Sequence, residues 1–206
     1  MTPLSTTHYR GCKIEIYHDE DCTSPREWDN IGTISCWNER YTLGDTQPDV
    51  RPQAYFEQII IQNKAFYLPL YAYIHGGIAL STRPFECQWD SGQVGYIWCS
   101  LERAIKEWRL GPDADWNTML TSVGNLPEET LGARVMRVLE GEIKTYDKYL
   151  QGECYGYKVI GLDGEELDSC WGYIGTESTE QAVSDAEATI DRHVEDHSNH
   201  EQQGEH

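Results

Sequence analysis

Two histidines, His193 and His197, have the spacing of a metal-binding pair. They are four residues apart, so a helix would place them on one face, with Glu195 and His200 nearby. A zinc site needs several ligands in a rigid geometry, whereas this segment is polar and the chain lacks His-Glu-x-x-His and Cys-x-x-Cys motifs. We therefore predict that the chain holds no metal ion and uses no cofactor.

The acidic run Asp19-Glu20-Asp21, followed by Asp29, supplies oxygen ligands of the kind that Ca²⁺ and Mg²⁺ prefer. Its spacing departs from an EF-hand loop, which has a central Gly and closes on a Glu. The pattern is more typical of a solvated surface turn, and we predict no metal site there.

Ser91 is the candidate nucleophile, because it lies between Asp90 and Gly92 in a segment rich in aromatic residues. Its context, Trp-Asp-Ser-Gly-Gln, is not the Gly-x-Ser-x-Gly elbow, and Asp and Gly at these positions favour the turn of a bulged hairpin. The sequence contains no complete phosphate-binding glycine loop, and no cysteine has a family-specific catalytic context. We predict no catalytic residue. A small hydrolase that uses segment 89–95 with a nearby His such as His75 is the alternative.

The charge of the chain is strongly unbalanced: 35 acidic residues stand against 16 basic ones, a formal net charge of −19. Such a charge repels phosphate backbones and anionic membranes, so we expect no direct binding to nucleic acid or lipid. It attracts basic surfaces, including the grooves in which other proteins hold DNA or RNA. The alternative is that the acidic residues only keep the protein soluble, which explains the same composition equally well.

Two predicted helices, 127–150 and 178–196, carry carboxylates in rows. Carboxylates on a helix face are several ångströms apart, comparable with the phosphate repeat of a nucleic-acid strand. Such rows can occupy a groove lined by Lys and Arg and recover the counterion-release free energy that drives nucleic-acid binding. An ordinary solvated helix face is the alternative. The residues that we predict to form this partner-binding acidic surface are Glu128, Glu129, Glu140, Glu142, Asp147, Glu180, Asp185, Glu187, Asp191 and Glu195.

Alternating apolar residues predict strands in this chain, and apolar residues at helical spacing predict helices. Together they indicate an α+β fold, a mainly antiparallel sheet flanked by helices in a single domain, residues 1–176. An acidic C-terminal helix and a frayed tail, residues 177–206, follow this domain. The expected strands are 13–18, 32–37, 66–74, 78–81, 155–162 and 166–173, with two further runs within 85–99 on either side of the turn at Asp90-Ser91-Gly92. The expected helices are 54–63, 101–110, 127–150 and 178–196.

Short motifs mark where these elements begin and end. Asp163-Gly164 between two strand-like runs is the strongest hairpin signal in the chain. Pro127 suits the first turn of a helix, and Gly152 suits the residue that follows its end. Pro69 inside a strand indicates an edge position or a bulge.

The seven cysteines are odd in number and irregularly spaced, unlike the disulfide framework of a secreted protein. The first residues, 1–8, lack the basic and apolar regions of a signal peptide. No apolar run approaches the roughly 20 residues that span a bilayer. We therefore expect a cytoplasmic protein with reduced thiols.

Three segments together resemble a known group of proteins: Ser24-Pro-Arg-Glu-Trp-Asp-Asn30 with Tyr41-Thr-Leu-Gly-Asp45, Leu68-Pro-Leu-Tyr71 through Trp89-Asp-Ser-Gly-Gln-Val-Gly95, and Asp168-Ser-Cys-Trp-Gly-Tyr173. Over residues 12–175 the chain is similar to small acidic proteins encoded by tailed bacteriophages and mobile elements. The group has no assigned catalytic residues, so the resemblance implies none in this chain.

The resemblance implies expression in the cytoplasm of a bacterial host, where small acidic phage proteins often block defence complexes. We therefore expect a non-enzymatic inhibitor of a CRISPR effector or a restriction enzyme. It would bind the basic nucleic-acid groove of that complex through its acidic surface, by nucleic-acid mimicry. The alternatives are the small metal-dependent or Ser/Cys-dependent hydrolase and a phage interaction module without a role in defence.

Overall fold

The computed structural model describes residues 2–38, 40–62, 64–87, 89–111, 122–123 and 126–203, and it describes side chains except at 59–60, 122–123, 126–129 and 196–203. The chain forms two compact units: unit 1 contains Met1–Thr23 and Gly152–His206, and unit 2 contains Ser24–Gln151. The strands are β1 (Ser5–Tyr9), β2 (Cys12–His18), β3 (Thr33–Cys36), β4 (Phe66–Ile74), β5 (Ile78–Ser81), β6 (Ser91–Cys99), β7 (Ser122–Val123), β8 (Leu126–Thr130), β9 (Cys154–Ile160) and β10 (Glu166–Ile174). The helices are α1 (Pro52–Tyr55), α2 (Leu101–Glu107), α3 (Leu131–Leu150) and α4 (Ser178–Gln203), with a 3₁₀ turn at Pro25–Glu27 and a π-helical segment at Phe56–Ile61.

Unit 1 is a four-stranded antiparallel sheet with α4 packed on one face. The strand order is β1-β2-β9-β10. Because successive side chains of a strand point to opposite faces, Ile14, Ile16 and Val159 are buried together on the face toward α4. Ala182 and Ala186 of α4 are fully buried in the same core, and their small side chains let the helix approach the sheet closely.

Unit 2 contains the second four-stranded antiparallel sheet, in the order β3-β6-β4-β5. The long helix α3 packs on it because Val135, Leu139 and Ile143 recur at helical spacing and are at most 1% exposed. These side chains share a core with Ile34 of β3 and Ile97 of β6.

The predicted α+β class, with mainly antiparallel sheet flanked by helices, is confirmed, and the strands are divided between two sheets. The hairpin at Asp163-Gly164 is confirmed as the turn between β9 and β10, where Gly164 has a φ of 85°. Gly152 directly follows the C-cap of α3 with a φ of 75°, as predicted. The sequence predicts an edge position or a bulge at Pro69. This residue lies in the first half of β4, which pairs with β6 but not with β5, and the register with β6 shifts just after it, between Leu70 and Tyr71.

The predicted hairpin turn at Asp90-Ser91-Gly92 is wrong, because Ser91 and Gly92 lie inside β6. Ser91 is opposite Tyr73, and Gly92 is opposite Ala72, both in β4. The chain enters β6 from the loop after β5, so its partner is an earlier strand rather than the run just before it. Turn-forming residue types therefore do not mark a turn here.

The helix predicted to start at Pro127 begins instead at Leu131. The preceding residues form β8, which pairs with β7. The Thr130 hydroxyl accepts a hydrogen bond of 3.2 Å from the Ala133 amide and so caps the helix. Glu128 and Glu129 therefore lie on a strand rather than on α3, and their side chains are outside the described set.

The last helix, α4, continues to Gln203, so residues 197–203 of the expected tail are helical, while 204–206 lie outside the described residues. Most of the loop predicted around Trp116 lies outside them as well. Within the part of the chain that is described, no helix combines the length and the apolar character needed to cross a bilayer.

Candidate partner-binding surface

The acidity of the chain is concentrated in unit 1. This unit holds fewer than half of the residues, yet it has 18 acidic and four basic residues, a net charge of −14. Unit 2 has 17 acidic and 12 basic residues, a net charge of −5. The charge imbalance seen in the sequence is therefore mainly a property of the smaller unit.

The four cations of unit 1 are all engaged within the unit. Arg10 Nε lies 3.0 Å from Asp191 Oδ1, Lys13 Nζ lies 3.5 Å from Glu15, and Lys158 Nζ lies 2.6 Å from Glu166. Arg192 donates hydrogen bonds to the Ala188 carbonyl and to the Thr189 hydroxyl. The remaining carboxylates of unit 1 consequently have few local cations to neutralise them.

The predicted acids on α4 divide into two sets. Asp185 and Asp191 face the sheet, where Asp185 accepts a hydrogen bond of 2.8 Å from the Tyr173 hydroxyl. Asp191 accepts one of 3.3 Å from the Tyr9 hydroxyl. Burial, together with the bond to Asp185, raises the pKa of Tyr173. Glu180 and Glu195 are exposed to solvent, and Glu187 is partly exposed.

The predicted acids on α3 are mostly tied into the framework of unit 2. The Glu142 side chain is only 10% exposed and contacts Arg26 Nη1 at 3.0 Å. Asp147 accepts a hydrogen bond of 2.6 Å from the Leu80 amide. Glu140 is the more accessible one, and it pairs with Lys144 on the next turn at 3.4 Å. Glu142 and Asp147 therefore position β3 and β5 against α3.

The acidic turn after β2 adds exposed carboxylates to unit 1. Asp19 Oδ2 accepts a hydrogen bond from the Gly172 amide at 3.0 Å, and its own amide donates to the Cys154 carbonyl. These bonds fix the turn, while Glu20 and Asp21 remain exposed. In the sequence, this run is weighed as a Ca²⁺ or Mg²⁺ site and a solvated turn is favoured, and no part in partner binding is predicted for it. Three consecutive acidic residues, Asp19 to Asp21, were the sequence signal that could have added this turn to the predicted acidic surface.

Among the described residues, no group of three or more His, Cys, Asp and Glu side chains converges as metal ligands would. His193 is exposed on α4, and the side chains of His197 and His200 lie outside the described set. The absence of a metal and of any cofactor stays a prediction.

The candidate nucleophile Ser91 is directed at the protein backbone. Its hydroxyl donates to the Cys87 carbonyl. His75 instead contacts Asp90, with 3.3 Å between Nδ1 and Oδ2, and its side chain is 71% exposed. Ser91 and His75 thus have separate partners, and this geometry supplies no base for the hydroxyl.

All seven cysteines are free thiols: four are buried, Cys22 is partly exposed, and Cys87 and Cys170 are exposed. Cys12, Cys36, Cys99 and Cys154 are buried, and burial raises the pKa of Cys99 to about 11 and that of Cys154 to about 12. A raised pKa leaves little thiolate at neutral pH, and the thiolate is the nucleophile. The buried thiols are therefore poor candidates for catalysis.

We expect iodoacetamide to alkylate Cys87 and Cys170 first, because both are exposed. Cys99 and Cys154 should react at least about tenfold more slowly in the native protein and at similar rates after unfolding. Peptide mass spectrometry over time measures each site. Rapid native labelling of Cys99 would show that its thiol is neither buried nor suppressed.

Exposed tryptophans offer anchors for a partner in both units. Trp89, before β6, is 96% exposed, and Trp171 of β10 is 38% exposed. Trp171 lies over Gly156 of β9, where a Cβ would overlap its ring. Binding hot spots are enriched in Trp, and a tryptophan held by its own sheet loses little conformational freedom on binding. Trp171 therefore gives unit 1 an apolar contact close to the acidic turn after β2, because Asp19 bonds to the amide of the next residue, Gly172.

Comparison of the chain with protein families, with curated proteins and with solved structures gives no match.

Proposed function

We propose that the chain is a non-enzymatic inhibitor that binds a basic, nucleic-acid-binding groove of another protein through the acidic surface of unit 1. The net charge of −14 in unit 1, with its four cations engaged internally, is the observation that supports this proposal. A groove that holds DNA or RNA has the opposite charge and keeps it when the nucleic acid is absent.

The physical driving force is the one that nucleic acid itself uses. Carboxylates that replace phosphates in a groove lined by Lys and Arg release the ions associated with that groove. The logarithm of the binding constant should therefore fall linearly with the logarithm of the salt concentration. Charge complementarity mainly sets the rate of association and the choice of partner. Contacts such as Trp171 would add specificity that charge alone does not give.

The target class comes from the resemblance to phage proteins. We propose a host defence complex, either a CRISPR effector or a restriction enzyme, because both hold nucleic acid in basic channels. The protein would act in the bacterial cytoplasm. It would compete with the nucleic acid rather than modify it.

The test is inhibition and binding of purified effector complexes and restriction enzymes at several salt concentrations. Replacing Glu180, Glu187 and Glu195 together with Gln should weaken binding by roughly ten- to hundredfold, since each exposed pair contributes about 0.5–1 kcal/mol. The salt dependence should become shallower in the same variant.

A matched control changes three exposed acids of unit 2, Glu57, Glu102 and Glu107, to Gln. This variant has the same net charge as the first and should bind nearly as well as the unmodified protein. Equal losses in both variants would mean that total charge, and not the surface of unit 1, governs binding. An effector complex or restriction enzyme that stays fully active when this protein is present in excess is not its partner.

A further inference from the structure

The outer edge of β1 is an open pairing edge in unit 1. β1 pairs with β2 in an unbroken register from Ser5–Ile16 to Tyr9–Cys12, and within the described residues no strand pairs with its other side. Its residues Ser5 to His8 are exposed. An edge strand presents a row of unpaired N–H and C=O groups to any extended chain that approaches it.

The opposite edge of the same sheet is protected, which sets β1 apart. β10 has two register shifts, between Glu166 and Asp168 and between Trp171 and Tyr173. Bulges and charged side chains are the usual devices that prevent pairing at an edge. β1 has neither, since its sequence is Ser-Thr-Thr-His-Tyr and its register does not shift.

The charges around this edge favour a cationic occupant. Glu20 and Asp21, both exposed, follow the end of β2 that lies beside the start of β1. At the other end, Arg10 is paired with Asp191, and on β2 Lys13 is paired with Glu15. A second copy of the chain would bring another unit of charge −14 to this edge, so self-pairing is opposed electrostatically.

We propose that β1 accepts an extended basic segment of the partner protein as an additional antiparallel or parallel strand. This inference rests on the proposed function, because it assigns the place where the basic partner is held. Main-chain hydrogen bonds to β1 would supply affinity, and the carboxylates of unit 1 would select Lys and Arg side chains on the added strand.

The experiment uses the full chain and a labelled peptide of alternating Lys and Val, with fluorescence anisotropy as the readout. Its control is a peptoid with the same side chains and charge, which has no backbone N–H groups. We expect the peptide to bind at least tenfold more tightly than the peptoid. We also expect hydrogen exchange of the β1 amides to slow when the peptide binds.

The outcomes separate the two proposals. If neither oligomer binds, the acidic-surface function fails. If both bind equally well, with no change in β1 exchange, the charge function stands and strand addition is rejected. If the peptide slows hydrogen exchange at another strand edge and leaves the exchange of the β1 amides unchanged, this inference is also rejected.

A pair of variants tests the edge from the protein side. Adjacent residues of a strand point their N–H groups in opposite directions, so one of Thr6→Pro and Thr7→Pro removes a bond to β2 and the other removes only an outward donor. The variant that keeps wild-type stability should lose at least tenfold in peptide affinity and leave peptoid binding unchanged. Undiminished peptide binding by that stable variant overturns the proposal.

Discussion

Replacing Arg26 with Ala lowers the free energy of unfolding by about 3 kcal/mol, because it leaves the nearly buried Glu142 carboxylate without its cation and removes two bonds to the partly exposed Asp45. The Arg26 side chain is 8% exposed and bonds to Asp45 through Nε and Nη2, at 3.0 and 2.7 Å, and to Glu142 through Nη1. Burial alone lowers the pKa of Arg26, but the bonds to Asp45 and Glu142 raise it above its ordinary value. The guanidinium therefore stays charged at any ordinary pH.

The carboxylates of this network also satisfy backbone groups, which increases the expected loss. Glu142 accepts hydrogen bonds from the amides of Ile31 and Gly32, and Asp45 accepts one from Ile34 at 2.7 Å. Without Arg26, the nearly buried Glu142 carboxylate would have no cation beside it, and Asp45 would keep its bond to the Ile34 amide but lose its own cation. Urea unfolding followed by tryptophan fluorescence measures the change, since six of the seven tryptophans belong to unit 2.

Glu140→Ala is the matched control, because Glu140 lies two residues before Glu142 on the same helix. Its pair with Lys144 is an exposed pair four residues apart, and such pairs contribute roughly 0.3–0.5 kcal/mol. We expect Glu142→Ala to be destabilising on the scale of Arg26→Ala and Glu140→Ala to be nearly neutral. Similar small effects for all three would show that the network does not hold unit 2 together.

Gly95→Ala should destabilise unit 2 by about 3 kcal/mol, the upper end of the usual penalty for overpacking. Gly95 of β6 lies opposite Cys36 of β3 and Leu70 of β4. A Cβ at this position would overlap the Ser35 carbonyl oxygen, so β3 would have to move away from the sheet. The colliding atom belongs to the backbone, and no side-chain rotation relieves the overlap.

The control for this prediction is Gly92→Ala in the same strand. A Cβ at Gly92 would have no atom within 4 Å, so the change adds a methyl group to open space. Thermal unfolding of the two variants should differ clearly, with Gly92→Ala at or slightly above the unmodified protein. An unfolding temperature for Gly95→Ala equal to that of Gly92→Ala would contradict the described packing of β3 on β6.

The parts of the fold that the sequence predicts are those decided by neighbouring residues. The β9–β10 turn follows from Asp163 and Gly164, and the buried stripe of α3 follows from apolar residues such as Leu139 at helical spacing. In both cases the residues that decide the structure are within one turn or one strand of each other. Such patterns can be read without knowledge of the tertiary partners.

The candidate site was harder to predict because its carboxylates look alike in the sequence. Glu140 and Glu142 differ in role only because Arg26, more than a hundred positions earlier, lies against one of them. Likewise, the residue types around Ser91 predict a turn, whereas Ser91 pairs with Tyr73 of an earlier strand, which no local pattern indicates. Long-range pairing thus removes Glu142 and Asp147 from the solvent-facing acids and leaves Glu180 and Glu195 among them.

The division of the chain has a consequence for how the protein is made. Unit 2 is one continuous stretch inserted between β2 and β9, which are neighbours in the sheet of unit 1, with His18 opposite Tyr155. As the ribosome releases the chain, residues 24–151 are complete while β1 and β2 wait as a lone hairpin, which is barely stable in water. The sheet of unit 1, and with it the surface formed by its carboxylates, is therefore completed only after all of unit 2 has been synthesised.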